Sequence, residues 1–434
     1  MDKYIYFDPQ LTKHDRLLLE NLAEDIKLQS GENGVSNGGS KGSKQGSAAC
    51  DDDRNNEILA TLDALNNPKD SHFEPSLFNN VDYDQIQWKK WFNRFILRPY
   101  IPIAKSIVRF DTDVVMLTHL LLYFTTSVPS ALFLYFGKFT WIHGILHMVM
   151  QGSYIGTYTL MMHQHIHQRG VLKKKFAAFD LLFPYITDPL MGHSWNSYYY
   201  HHVKHHHVEG NGPNDLSSTV RYQRDDIWHF LHYVGRFYFF VWAELPMYFI
   251  REKRYVFAAK SMFWDVGYYT TVYVLFKINP LPTTCVLLLP LLILRVALMI
   301  GNWGQHAFVD DTEPTSDYRS SITLIDVVSN RHSFNDGYHT SHHLNPMRHW
   351  REHPNHFMKS KKVYASHNAL VFHNIDYFMV TIRLLCKDYE HLAKCLVPIG
   401  EEQIAMNLSE RVAMLKRHTR RFTEEEIKVK FHLS

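Results

Sequence analysis

The central part of the chain alternates between long apolar runs and polar, charged stretches. Four of the runs reach the ~20 residues that a helix needs to cross the hydrocarbon core of a bilayer. They are residues 114–136, 139–162, 256–276 and 281–303. Short turns join the first to the second, "GK" at 137–138, and the third to the fourth, "KINP" at 277–280. The pattern therefore predicts two membrane hairpins.

A fifth run, residues 229–250, is rich in Phe, Tyr and Trp but contains Arg236 and Glu244. Hydropathy alone leaves it open between a further span and a helix that lies in the membrane interface. Together with the basic cluster "REKR" at 251–254, the two charges favour an interfacial helix whose apolar face enters the acyl boundary.

The segments on either side of this region are more polar. Leucines at helical spacing over residues 12–28 predict an amphipathic helix, and the Gly, Ser and charged residues from about 30 to 55 predict a disordered linker. Basic and aromatic residues interleave from Trp88 to Arg109, so residues 86–112 are predicted to lie against an anionic leaflet. Residues 1–85 and 358–434 are predicted to be cytosolic, the second of them as a helical region.

Basic residues are distributed unevenly around the hairpins, which predicts their orientation. The two tight turns hold one lysine each, Lys138 and Lys277. The stretches at the opposite ends hold Arg169, Lys173, Lys174, Lys175, Lys204, Arg221, Arg224, Arg251, Lys253 and Arg254. By the positive-inside tendency the turns are lumenal and the long loops are cytosolic. The N-terminus lacks the apolar core of a signal peptide, so we expect the chain to begin in the cytosol.

The composition of the chain then limits which kinds of binding site it can contain. The formal net charge of +3 gives no sign of a nucleic-acid binder. The four cysteines are scattered without a CxxC, so neither a disulfide framework nor a thiolate zinc site is indicated. Histidine is the anomaly, with 29 of 434 residues. Any metal is therefore expected to be bound by nitrogen and oxygen.

The histidines form four groups at the predicted cytosolic membrane edges. In "HQHIHQ", His163 and His167 are four apart and share a helical face, whereas His165 points away and is predicted not to be a ligand. In "HHVKHHHVEG" at 201–210, either His202, His205 and His206 or His202, His206 and His207 could act together, and spacing alone does not choose. The remaining groups are Asn302 with His306 in "GNWGQHAF", and His339, His342 and His343 in "HTSHHLNP".

Eight or nine imidazoles exceed what one metal accepts, so two metals are expected, and nitrogen ligands favour iron, copper or zinc. If the four groups build one centre, the chain must cross the bilayer an even number of times between His207 and Asn302. The runs 256–276 and 281–303 already give an even number, so residues 229–250 are predicted not to cross. Asp265 and Arg295 would lie at similar depth in neighbouring helices, and a contact between them is predicted.

These motifs, in this order and spaced by hairpins, resemble the membrane fatty acid desaturase and hydroxylase superfamily over residues 113–357. The resemblance implies an all-α integral membrane protein with four transmembrane helices in two hairpins, capped by a cytosolic helical domain that carries the histidine boxes. It implies two iron ions held by His163, His167, His202, His206, His207, His306, His339, His342 and His343, with Asn302 binding a metal-bound water. His202 with His206 and His207 is preferred because "VEGNGPND" looks like the family's Asn and Asp run after an HH pair.

The resemblance also implies an activity. We expect O2-dependent insertion of a double bond into a lipid acyl chain, with hydroxylation by the same superfamily as the alternative. A histidine-rich membrane metal transporter or receptor is the alternative from another class. The chain has no HPGG haem box, and "HPNH" at 353–356 is not one, so electrons are expected from a separate donor of cytochrome b5 or ferredoxin type. The endoplasmic reticulum is the expected location, with the boxes facing the cytosol.

Overall fold

The computed structural model describes residues 5–29 and 44–432 of the chain. Most of them are helical, and they form two compact units. The first unit comprises Met1–Glu74 and Gly304–Arg420, and the second comprises Pro75–Trp303 and Arg421–Ser434. The predicted membrane domain, residues 113–357, therefore contributes to both units.

The second unit contains the long apolar helices. Three of them are uninterrupted over many turns: Trp141–Gln168, Ile227–Arg251 and Tyr255–Ile278. Its other helical segments are Tyr83–Gln85, Lys90–Phe92, Asn93–Leu97, Arg98–Ile107, Val114–Thr125, Ser127–Phe136, Lys174–Phe176, Ala177–Leu190, Tyr199–His206, His207–Glu209, Pro280–Thr283, Thr284–Leu288, Leu289–Gln305 and Glu424–Lys430. Strands Ser76–Phe78 and Val81–Asp82 form a small antiparallel pair.

Within the described residues, two helical stretches are long and apolar enough to cross a membrane, Val114–Phe136 and Pro280–Gln305. They correspond to the first and fourth predicted runs. The second and third runs lie in helices of 28 and 24 residues, Trp141–Gln168 and Tyr255–Ile278, which do not reach the same apolar content. The reason is their polar residues, such as Gln151 in one helix and Asp265 in the other. Four transmembrane helices therefore stay a prediction.

The polar residues of these helices contact protein partners. Ser127 Oγ donates to Gln151 Oε1 at 2.7 Å, and Gln151 Nε2 donates to the Leu190 carbonyl at 2.8 Å. Between the two predicted hairpins, the Tyr135 hydroxyl donates to Thr283 Oγ1 at 2.9 Å. Hydrogen bonds of this kind join helices within a bilayer, where an unsatisfied polar group is costly.

Large apolar side chains are exposed along the helices of the second unit. Phe136, Ile142 and Ile278 are 86%, 75% and 74% exposed. An apolar surface of this extent is unusual against water and is accommodated by hydrocarbon. Arg236 and Glu244, the two charges predicted to keep Ile227–Arg251 from crossing the membrane, form an ion pair. Arg236 Nε lies 3.1 Å from Glu244 Oε1. The interfacial placement of this helix stays a prediction.

Asp265 and Arg295 lie in the wall of one small cavity, but they do not form a direct ion pair. Asp265 accepts a hydrogen bond from Ser194 Oγ at 2.8 Å. Arg295 donates to the Tyr238 carbonyl at 3.2 Å and to the Tyr269 hydroxyl. The cavity between them measures about 50 Å³. The two side chains thus share a cavity without forming an ion pair, because each charge is satisfied by nearer hydroxyl and carbonyl groups, and the predicted contact between them stays a prediction.

The first unit combines short helices with a three-stranded sheet. Ile322–Ile325 pairs in parallel with Leu370–His373, which pairs in antiparallel with Leu396–Val397. Its helical segments are Lys13–Gln29, Lys44–Asn66, Asp317–Ser320, Val327–Arg331, His339–Leu344, Trp350–Glu352, His353–Lys359, Lys361–Ser366, Tyr377–Leu385, Tyr389–Cys395, Gly400–Ala405 and Leu408–His418. The fold is thus mostly helical rather than all-α as predicted. The prediction missed the strands "ITLI" and "LVFH" because both are fully buried and show no polar–apolar alternation that would separate them from short helices.

The N-terminal segment belongs to the core of the first unit. Leu18, Leu22 and Ile26 of the predicted amphipathic helix are buried in one cluster with Leu62 and Phe357. The predicted linker, about 30 to 55, is only partly described, since residues 30–43 lie outside the described residues. From residue 44 onwards a helix replaces the predicted linker, because Leu62 anchors it in the core and the preceding residues include good helix formers such as alanine.

Candidate metal centre

The C-terminal end of helix Trp141–Gln168 presents two histidines on one face. His163 and His167 are four residues apart, and their ring centroids lie 4.8 Å from each other. His165 contacts different residues, because its Nε2 lies 2.9 Å from the Asp180 carbonyl oxygen and its ring packs on Phe183. The helix geometry thus brings together the predicted pair and separates the residue predicted not to bind.

The second histidine group folds as a π-helix, Tyr199–His206. The backbone hydrogen bonds of this wider helix join residues five apart rather than four, so His202 and His207 lie nearer to one face than they would in an α-helix. His202 Nε2 lies 3.1 Å from His207 Nε2 and 2.8 Å from His163 Nε2. We call His163, His167, His202 and His207 the four-histidine cluster; their ligand atoms lie within 4.8 Å of one another.

The four-histidine cluster is partly shielded from water. His163 and His167 are buried, and burial, followed by the neighbouring His207, lowers the pKa of His202 well below its usual 6.5. A neutral imidazole is the form that binds a metal. Several neutral nitrogens that face one another at these distances bring their lone pairs to a common point, which a metal ion would stabilise.

His206 and His205 have different surroundings from those of His202. His206 Nδ1 lies 2.7 Å from Asp215 Oδ2, and both side chains are buried. His205 Nε2 accepts a hydrogen bond from the Leu216 backbone nitrogen at 2.9 Å. His205 Nε2 is therefore already used, and His207 rather than His205 joins His202 in the four-histidine cluster, which favours His202, His206 and His207 over the alternative triplet.

The first unit holds a second group of converging imidazoles, which we call the three-histidine cluster: His306, His339 and His343. His339 Nε2 lies 3.2 Å from His306 Nε2 and 3.1 Å from His343 Nε2. His306 is fully buried and its Nδ1 lies 2.7 Å from the Ser320 carbonyl oxygen, so the ring presents Nε2.

Two further predicted residues lie beside these groups. His342 is buried on the same short helix as His339 and His343, with its ring centroid 6.1 Å from that of His343. Asn302, near the end of Leu289–Gln305, donates through Nδ2 to the Ser217 carbonyl at 2.9 Å and to the Tyr233 hydroxyl at 2.7 Å. These bonds fix its amide and leave Oδ1 as the acceptor that a bound water could use.

The donor set fits a first-row transition metal. Both clusters offer imidazole nitrogen alone, which suits iron, copper or zinc and does not suit magnesium or calcium. Histidine ligands of metals usually donate their second ring N–H to a carboxylate or carbonyl, as His206 and His306 can. The residues present therefore fit the metal centre that the sequence predicts, although their role as ligands stays a prediction.

Sequence reasoning missed the residues that orient these histidines. Asp215 was part of the "NGPND" run, but its bond to His206 depends on a chain reversal that spacing does not encode. Ser320 acts through its backbone carbonyl, so no side-chain signal could identify it. Asp317 Oδ1 lies 3.7 Å from His343 Nδ1, at the limit of an ion pair.

Comparison with protein families gives a match to the central part of the chain. A family model described as fatty acid desaturase matches residues 139–374, more than half of the chain. The matched range contains every one of the predicted ligand histidines. No curated protein and no solved structure matches the chain.

Proposed function

The chain belongs to the fatty acid desaturase family, and from that premise we propose that it inserts a double bond into the acyl chain of a membrane lipid, using O2 at two iron ions. Family membership makes the protein an oxidoreductase of lipid metabolism with a lipid acyl substrate and an association with membranes. It also sets aside a metal transporter or receptor as the function.

The observation that carries the proposal is the convergence of buried imidazoles. The four-histidine cluster brings residues from two separate helices within 4.8 Å of one another, which a solvated histidine tract would not do. We propose as ligands His163, His167, His202, His206, His207, His306, His339, His342 and His343, with Asn302 holding a metal-bound water.

Iron bound by these residues would supply the oxidising power that removes hydrogen from an unactivated methylene. Desaturation converts –CH2–CH2–, O2, two electrons and two protons into –CH=CH– and two waters. The chain holds no HPGG haem box, so a separate donor of cytochrome b5 or ferredoxin type would deliver the electrons. The protein residues fix the ligands and exclude water from the oxidant.

An apolar cavity of about 220 Å³ in the second unit supports an acyl substrate. Val128, Leu132, Tyr268 and Val272 are among its lining residues. Its wall is almost entirely hydrocarbon, so it would favour a chain of methylenes over a polar ligand.

We further propose that the four helices Val114–Phe136, Trp141–Gln168, Tyr255–Ile278 and Pro280–Gln305 cross the membrane. The exposed apolar side chains of Trp141–Gln168 and Tyr255–Ile278 support this, since their polar residues contact other helices instead. The clustered basic residues at one end of the hairpins support a cytosolic orientation of the histidine boxes, and the endoplasmic reticulum is the proposed location.

Lipid profiling of a host membrane with and without the expressed chain tests the activity. We expect a product that has lost two hydrogen atoms; gain of one oxygen atom would instead identify a hydroxylase of the same family. Total lipid fatty acids and free fatty acids are analysed separately, and a His163→Ala variant serves as the inactive control. An unchanged lipid profile with a correctly inserted, iron-loaded protein and its electron donor would contradict the proposal.

A further inference from the structure

A cavity of about 810 Å³ lies in the second unit beside the four-histidine cluster. Its wall includes Met162, which precedes His163 in the helix, and Tyr198. The Tyr198 ring centroid lies 6.2 Å from that of His163 and 5.2 Å from that of His202. The volume falls within the ~300–1,000 Å³ typical of ligand pockets. A molecule in this cavity would therefore contact residues that border the proposed metal site.

The cavity meets the protein surface among exposed apolar side chains. Leu181 and Phe263 line it, and each is 68% exposed. In a membrane protein such a surface faces acyl chains rather than water. A ligand is therefore expected to reach the cavity from the bilayer.

Two cationic side chains line the same cavity without a protein partner. Arg169 follows helix Trp141–Gln168, and Lys260 lies in Tyr255–Ile278. Among the residues that the structure describes, neither side chain has an ion pair or a hydrogen bond. Both remain available to an anion.

The carboxylates in the wall are already engaged. Asp180 accepts hydrogen bonds from the backbone nitrogens of Val171 and Leu172 at 3.2 and 3.3 Å. Asp188 is buried and accepts from the Tyr158 hydroxyl at 2.6 Å, and burial raises the pKa of Asp188 to about 7. The charges free to meet a ligand are thus positive, and a cationic amine would find no carboxylate available.

We propose that this cavity binds the phosphate of an anionic membrane phospholipid, with Arg169 and Lys260 contacting the phosphate and an acyl chain passing Tyr198 towards the histidines. The assignment of this lipid as the substrate rests on the proposed function, whereas its binding does not. The phosphate of an acyl-coenzyme A would offer the same chemistry, but the apolar surroundings of the cavity favour a ligand that diffuses within the bilayer.

Direct binding to the purified full-length protein in detergent tests this proposal. Dioleoyl phosphatidylglycerol, dioleoyl phosphatidylcholine and oleoyl-coenzyme A are titrated separately, with native mass spectrometry as the readout. We expect phosphatidylglycerol to bind best and the double variant Arg169→Gln/Lys260→Gln to weaken its binding about tenfold or more, because two charge-assisted contacts are lost. The control variant Lys277→Gln removes one positive charge outside the cavity, in the same helix as Lys260, and it should bind normally.

The charge-preserving variant Arg169→Lys/Lys260→Arg should retain binding, which separates loss of charge from loss of folding. Equal binding of phosphatidylcholine, tighter binding of oleoyl-coenzyme A, or undiminished binding by the double Gln variant would each overturn the proposal. The His163→Ala variant should lose activity but keep lipid binding, so failure of the proposed function and failure of this site give different results.

Discussion

His206 Nδ1 lies 2.7 Å from Asp215 Oδ2 in the interior of the second unit. A ring N–H on Nδ1 donates to the carboxylate, so the lone pair of the neutral imidazole is on Nε2. Ser217 holds Asp215 in turn, because its backbone nitrogen and Oγ both donate to Oδ1 at 2.8 Å. Asp215 is therefore a positioning residue that determines which nitrogen of His206 can bind a metal.

The substitution Asp215→Asn should reverse this arrangement. With Oδ1 kept by Ser217, the new amide nitrogen would donate to Nδ1 of His206 and place the ring proton on Nε2. We expect iron content or product formation to fall by roughly 10- to 100-fold, the usual effect of losing such a partner. Metal analysis and lipid profiling measure the two effects. The exposed Asp53→Asn is the control, and full iron content with full activity in Asp215→Asn would contradict the role.

The ligand assignment predicts a sharp difference among neighbouring histidines. Purified protein should contain close to two iron ions, and His206→Ala or His342→Ala should abolish product while the protein stays inserted in the membrane. His165→Ala should remain active, because His165 contacts the Asp180 carbonyl and Phe183 instead of the four-histidine cluster. Iron per protein and product are measured on the same samples. Activity that survives both of the first two substitutions would remove the assignment.

The sequence predicts the pairing of His163 with His167, because four-residue spacing on a helix has one geometric outcome. It does not decide within residues 201–207, because an α-helix and a π-helix place different histidines on one face. The structure contains the π-helix, which aligns His202 with His207 and directs His206 to Asp215. Spacing motifs therefore predict a site only where the local helix type is known.

Some elements of the fold could likewise be predicted from the sequence and others could not. Hydropathy predicts the helices that contain the apolar runs, since burying or exposing about twenty apolar residues dominates their energetics. It cannot predict that Ile322–Ile325 pairs with Leu370–His373, because those strands are short, fully buried and distant in the chain. Nor does composition reveal that Leu62, beyond the Gly and Ser stretch, belongs to the core of the first unit.

The buried Asp15 predicts a pH dependence of stability. Its carboxylate accepts hydrogen bonds from the Tyr338 hydroxyl at 2.6 Å and Asn330 Nδ2 at 3.0 Å. Burial nevertheless raises the pKa of Asp15 from 3.8 to about 6. Between these values the folded state keeps a proton that the unfolded state has released. The contribution of Asp15 to the free energy of unfolding therefore falls as the pH rises from about 4 to about 6.

Asp15→Asn should remove this part of the pH dependence, because an amide keeps the hydrogen bonds without titrating. The melting temperatures of the two detergent-solubilised proteins are compared between pH 4 and 8, and the value for the wild type relative to the variant should fall as the pH rises from about 4 to about 6 and then stay constant. Burial also raises the pKa values of Asp326 and Asp336 to about 7, so dependence at higher pH should remain. A parallel profile for the two proteins would show that Asp15 does not titrate in this range.

The membrane topology can be tested at helix Ile227–Arg251. If the histidines of all four groups serve one centre, the chain crosses the bilayer an even number of times between His207 and Asn302. Tyr255–Ile278 and Pro280–Gln305 are the two proposed crossings in this interval, so Ile227–Arg251 should lie on the cytosolic interface, with exposed side chains such as Phe239 in the acyl boundary.

Single cysteines placed by Trp228→Cys and Glu252→Cys, in a background without the four native cysteines, test this at both ends of the helix. Both positions are exposed, so an impermeant thiol reagent can reach them. They should react in vesicles that expose the cytosolic face and stay unlabelled in vesicles of opposite orientation, because an interfacial helix begins and ends on one side. Lys138→Cys, in the predicted lumenal turn, should show the reverse pattern and thereby control for leaky vesicles. If the two ends of the helix label from opposite sides, the helix crosses the membrane, and either the assignment of the later spans or the single centre is wrong.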